Sequence, residues 1–213
     1  SVDIGGKSTT SDYTVMTVID RFGMIPSIKG KPRVVARYRG HERHDKLAWM
    51  AAALAHYYDD ALLVIESNTA DREKNNNTEG DHFGSILNEI AYYYDNLYQR
   101  TTSPEDVTDN VLAKYGFQTN KLTKGWVIDN LEKFVDDMLW DEPDKEMYHE
   151  LRIYERHDDG SLGNIVGNGN HDDVLMSTGI GLWVSANDMD SPRWKPKEKH
   201  SSGSDGVHTA AKI

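Results

Sequence analysis

Four carboxylates stand where the surrounding pattern makes a charge costly. Asp3 lies on a short apolar stretch that ends in a Gly/Ser/Thr turn and is followed by the β-branched run Tyr13-Thr-Val-Met-Thr-Val-Ile19. Glu66 closes the continuous apolar run Ala61-Leu-Leu-Val-Ile65. Asp172 and Asp173 stand in His171-Asp-Asp173, directly before an apolar stretch of helical period. Burying a carboxylate is expensive unless something positive or hydrogen-bonding meets it, and a shared cation would meet all of them. The chain has no cysteine, so its ligands are oxygen and imidazole, and oxygen-only clusters suit Mg2+ or Mn2+. Two such ions about 4 Å apart activate a water and stabilise the leaving oxygen of a phosphodiester.

Each residue also has a simpler role open to it. Asp3 could satisfy turn N–H groups in the Gly5–Ser8 loop, and Asp172 or Asp173 could cap the helix that follows. Glu66, behind five apolar residues, has no comparable alternative. Asp12 is either a further ligand at the rim or a turn residue. His171 is placed to orient a water or contact phosphate, or is an ordinary polar flank. Gly6-Lys7-Ser8 is not a phosphate loop: that motif needs a glycine five residues earlier, where Ser1 stands, and a helix after it. The nine histidines contain no His-Glu-x-x-His pattern.

The elements that would position these groups follow from periodicity. Val2–Ile4, Tyr13–Ile19 and Pro32–Arg39 read as three strands of an antiparallel meander. Leu47, Met50, Ala51, Leu54 and Tyr58 mark a helix over 43–58. Ala61–Ile65, apolar on both faces, reads as a buried parallel strand with Glu66 at its carboxyl end. Ile86, Leu87, Ile90, Tyr94 and Leu97 give a second helix, and 97–101 a short strand. Val127, Leu131, Phe134, Val135 and Met138 give a third helix, capped by Asn120 or Thr123. Residues 146–155 alternate like a strand, 160–170 form turns, and Val174 to about Ala186 forms a closing helix, apolar all round. Gly179 and Gly181 inside it predict close packing against a neighbour, since each costs about 1 kcal/mol in a helix interior. The fold class is α/β: a mixed central sheet, meander plus parallel strands, flanked by helices, over 1–190. Residues 191–213 read as a flexible basic tail.

Bulk properties narrow the function. The 213 residues carry a net charge of −11, which argues against a simple basic DNA-binding module. The charge is uneven, however. Between Arg21 and Lys46 eight Lys/Arg face two acids, a net of +6, leaving −17 on the rest. Arg33, Arg37, Arg39 and Lys46 in that strip are candidate contacts to a phosphate backbone, and a solvated strand face is the bland alternative. No run approaches a membrane span and no signal peptide is present, which fits an intracellular protein. The opening directly on a strand reads as an excised domain.

Taken together, Asp3-Ile-Gly-Gly with Ser11-Asp12-Tyr13, Val64-Ile-Glu-Ser-Asn68, Gly125-Trp126 after Thr119-Asn-Lys-Leu-Thr-Lys124, and Gly169-Asn-His-Asp-Asp-Val-Leu-Met176 resemble the C-terminal nuclease domain of the large terminase subunit of tailed bacteriophages. The resemblance spans roughly residues 2–187. It implies an RNase H-like fold and a metal-dependent endonuclease cutting concatemeric double-stranded viral DNA by a two-metal mechanism, with two Mg2+ or Mn2+ ions held by Asp3, Glu66 and the Asp172/Asp173 pair. Asp12 matches a further acidic position, and Asn68 the asparagine after the second acid. The implied partners are double-stranded DNA, an N-terminal packaging ATPase absent from these residues, the portal and the small terminase subunit. The implied location is the host bacterial cytoplasm, at the procapsid portal. A junction resolvase or recombinase core, and a non-catalytic docking module of the motor, are the alternatives.

Overall fold

The computed structural model describes residues 1–5, 12–67, 82–100, 115–165 and 169–193. Three strands form the meander: β1 Val2–Asp3, β2 Thr14–Asp20 and β3 Arg33–Gly40, paired antiparallel in that order. Among the described residues five helices follow: α1 His44–Tyr57, α2 His82–Ile90, α3 Lys121–Asp136, α4 Lys145–Ile153 and α5 Asp173–Asn187. A short hairpin, β4 Tyr154–Arg156 with β5 Leu162–Asn164, lies between α4 and α5.

The two-residue period of the strands divides the apolar side chains between two cores. Val2 and Met16 face one side and pack with Leu47, Ala51 and Ala55 of α1 and Ile86 and Ile90 of α2. The alanines of α1 present a small-residue face, and the helix packs chiefly against α2. Val15 faces the other side and packs with Val127 and Leu131 of α3, Met147 of α4 and Ile180 and Leu182 of α5. Helices therefore cover both faces. The expected close packing of α5 is present: a Cβ on Gly179 would stand 2.8 Å from Val127 Cγ1, and one on Gly181 would stand 2.7 Å from Ile19 Cδ1.

The 61–66 segment lies beside β1, with Val2 N–H donating to Val64 O (2.7 Å) and Glu66 N–H to Val2 O (2.8 Å). Its ladder contacts are isolated bridges in the parallel sense, Val2 with Ile65, Leu63 with Leu97 and Glu66 with Phe117, in place of the continuous strand expected. The 97–101 strand is likewise reduced to bridges at Leu97 and Gln99.

One expectation is overturned outright. Residues 146–155 are a helix, α4, up to Ile153, and only Tyr154–Arg156 is strand. The Asp144 carboxylate accepts from Glu146 N–H and starts the helix, and its buried face is Met147 and Glu150, three residues apart. That spacing is helical. The alternation of Met147, Leu151 and Ile153 with polar residues hid it. Asn120 and Thr123, alternative caps in the sequence, act together: Asn120 Oδ1 accepts from Thr123 N–H and Thr123 Oγ1 from Asn120 N–H, a reciprocal box starting α3. The basic tail lies, from residue 194 onward, outside the described residues.

Candidate active site

Alternation along the strands sets the site. Val2 and Ile65 point into the α1/α2 core, so Asp3 and Glu66, one residue on, point to the opposite face. There the Asp3 carboxyl hydrogen-bonds Glu66 and lies within electrostatic reach of Asp173 and Asp172. The other three carboxylates singled out in the sequence thus lie within electrostatic reach of Asp3.

Their mutual cost is visible in the proton balance. The Asp3 carboxyl is pushed well above the ordinary carboxylate range, first by burial, then by the Glu66 charge and the hydrogen bond to Glu66, then by Asp173 and Asp172. Burial raises Asp173 to about 6, with Asp12 and Asp172 adding to the rise and the Tyr13 N–H opposing it. That N–H donates to Asp173 Oδ2 at 3.0 Å, tying the start of α5 to the start of β2.

The simpler roles fare unevenly. Gly5 N–H donates to Thr14 Oγ1 rather than to Asp3, and the rest of the Gly5–Ser8 loop, residues 6–8, lies outside the described residues. Gly5 is also held close to the chain, because a Cβ there would stand 2.2 Å from Asp12 O. Asp172 occupies the N-cap position of α5, but its side chain makes no capping bond. It instead faces Lys124 Nζ at 3.4 Å. Asp12 is exposed, yet its carboxylate lies 3.6 Å from His171 Nδ1, which is also 3.7 Å from Asp173 Oδ2. Asp12, His171 and Asp173 offer ligand atoms all within 4.8 Å of one another. Asn68 lies outside the described residues.

The basic strip divides. Arg39 shares the site's sheet face: Asp3 pairs with Val15 and Val15 with Arg39, a row across three strands. Its guanidinium lies 3.9 Å over the Tyr13 ring and 3.4 Å from Glu146. Arg33 pairs with Asp141 and Lys46 with Glu42, both with exposed side chains. Arg37 must be corrected. All five of its N–H groups are engaged, Nε with Thr17, Nη1 with Glu142 and Asp144, and Nη2 with Glu142 and Thr178. A guanidinium with five donors has none left for a phosphate.

Two residues near the site escaped the sequence reading. Lys124, on α3, is a cation beside Asp172 and under the Tyr154 ring; its place four residues after the Asn120 cap was the available signal. Glu150, on α4, is fully buried, and its Oε2 accepts from Leu175 N–H of α5 at 2.7 Å. It performs from another helix the capping that Asp172 does not. Burial raises its carboxyl to about 8, the Leu175 N–H opposing and Asp173 and Asp172 reinforcing the rise. A separate, largely apolar cavity of about 500 Å3 lies between β2, α1 and α5, and none of the site carboxylates lines it.

Solved structures with a similar fold exist. The crystal structure of the large terminase nuclease from thermophilic phage G20c is 19% identical, with a TM-score of 0.52 over 85% of this chain and 78% of that one. The large terminase nuclease domain of Thermus phage P74-26 is 20% identical, with a TM-score of 0.55 over 91% of this chain and 81% of that one. The fold is that of large terminase nuclease domains. No family profile and no curated protein matches the sequence.

Proposed function

We propose that this chain is the nuclease domain of a phage DNA-packaging terminase, an RNase H-like, divalent-metal-dependent endonuclease acting on concatemeric double-stranded DNA. The feature that carries the reading is the carboxylate cluster on one face of the sheet, where burial first, then Glu66, and last Asp173 and Asp172 disfavour the charged form of Asp3. Such a cluster is destabilised by its own charge and relieved by a cation. Its hard oxygen donors fit Mg2+ or Mn2+, with Asp3, Glu66 and Asp172 or Asp173 as the holding residues. Ions bound there would supply Lewis acidity to a phosphodiester.

The chain's own groups do the rest. His171, between Asp12 and Asp173, can hold or move a proton at Nδ1, and Lys124 offsets the charge of Asp172. Arg39, and the exposed Arg33 and Lys46, are the cations of the strip left to meet a phosphate backbone, contacts that are independent of sequence and weakened by salt. The resemblance extends the reading to partners: the packaging ATPase, the portal and the small terminase subunit, with cleavage in the host cytoplasm at the procapsid portal. Among the described residues no helix is long and apolar enough to cross a membrane.

Plasmid nicking in Mn2+ tests the reading. Wild-type protein is expected to nick and linearise supercoiled DNA, and Glu66→Gln to lose that activity while keeping its fold. Cutting by a folded Glu66→Gln variant refutes the assignment.

A further inference from the structure

A second concavity opens beside the acidic cluster and is lined by aromatics. Tyr98, Phe117, Trp183 and Trp126 form a chain of ring contacts along a cavity of about 540 Å3, a volume in the range of small-ligand sites. Trp126 and Trp183 are nearly parallel, 10° apart with centroids at 6.3 Å, and Trp126 remains 46% exposed. Polar groups that can meet a base edge, Gln118 and the amide NH2 of Asn120, whose oxygen caps α3, share the lining, as does Arg100, whose Nη1 donates to Ser67 Oγ next to Glu66.

Two independent rulers place this cavity relative to the carboxylates. Leu62, in the lining, is four residues before Glu66 on the same side of the segment, about 13 Å at the rise of an extended chain. Trp183 is ten residues after Asp173 on α5, about 15 Å at the helical rise. Phe117 joins the two places, since it bridges Glu66 and lines the cavity. The cavity thus runs from Phe117, beside Glu66, out to Leu62 and Trp183.

We propose that this aromatic cavity is a stacking site for an unpaired nucleobase of the DNA strand that is cut at the acidic cluster, an inference that rests on the nuclease reading above. Aromatic faces accept any base, and the amides add only a mild preference. Stacking one base does not outweigh the cost of extruding it from a paired duplex, so the site captures a base that is already unpaired, at a frayed, mismatched or single-stranded place.

The test is binding without cutting. A short single-stranded oligodeoxynucleotide carrying 2-aminopurine is titrated with the full chain in EDTA, reading quenching of the probe and of tryptophan. Wild type is expected to quench both. Trp126→Ala should bind roughly tenfold or more weakly and lose the quenching, Trp126→Phe should recover most of it, and Trp49→Ala, on exposed α1, should behave as wild type. Unchanged binding by Trp126→Ala, or an equal loss for fully paired duplex of the same sequence, overturns the proposal. Plasmid nicking is scored separately, so a wild type that binds and quenches but does not cut refutes the nuclease reading and not the stacking site.

Discussion

Replacing Glu150 with glutamine should remove a large share of the protein's pH sensitivity. The carboxyl is 1% exposed and its pKa rises from 4.5 to about 8 on folding. A group whose folded pKa is raised binds more protons in the native state, so stability is full below pH 4.5 and falls as pH rises towards 8. At about 1.4 kcal/mol per unit, the full interval corresponds to at most about 5 kcal/mol, and relaxation around the ionised group lowers this to roughly 2–5 kcal/mol. Glutamine keeps the oxygen that accepts from Leu175 N–H and cannot ionise, so it imitates the protonated acid. Urea unfolding at pH 5, 7 and 9 in EDTA reads the effect. Wild type should lose stability relative to Glu150→Gln progressively, with the gap opening between pH 5 and 9. Asp3 and Asp173 titrate in the same direction in both proteins, so the difference between the curves reports Glu150 together with its coupling to Asp173 and Asp172. Parallel pH profiles would refute the claim that Glu150 is buried beneath the start of α5.

Three further outcomes follow from contacts described above. Asp3→Asn should abolish nicking yet raise the thermal midpoint in EDTA, because it removes a carboxyl whose charged form is disfavoured first by burial and then by Glu66, Asp173 and Asp172; differential scanning fluorimetry with and without Mn2+ should show the metal-induced upshift of wild type lost in the variant. Arg37→Met should cost about 3–5 kcal/mol in urea unfolding, since it strands Glu142 and Asp144 without their cation, while leaving duplex affinity at low salt unchanged under conditions where the variant is folded. Asn120→Ala should cost about 1 kcal/mol by losing the reciprocal cap of α3, measured the same way.

Much of the site was legible because burial announces itself locally. An acid after five apolar residues, as at Glu66, or at the mouth of an apolar helix, as at Asp173, contradicts its surroundings within a few positions. The face on which each carboxylate lies also follows from the two-residue period, given Val2 and Ile65 as core. The reading failed where the deciding partner is distant. Strand alternation puts Arg37 on a basic strip with Arg33 and Arg39, and only residues 105 positions away, at Glu142, turn it inward. Glu150 sat in a segment whose alternation imitated a strand, and its meaning depends on α5 being laid across it.

Those two misreadings have a common physical origin that bears on how the site is held. The cluster's acids repel one another, and something other than their own bonding must keep the start of α5 against β1 and the 61–66 segment. Asp173 contributes one restraint through Tyr13 N–H. Arg37, bonded to Thr178 of α5, Thr17 of β2 and the carboxylates of Glu142 and Asp144 before α4, clamps the helix to the sheet one turn further along. Glu150, bonded to Leu175 N–H, fixes the same helix from the side of α4. The charged residues least recognisable in the sequence are therefore the ones that hold the recognisable carboxylates together. Loss of either clamp should weaken divalent binding in proportion to the disorder it introduces at Asp172 and Asp173, with no change in the identity of the ligands.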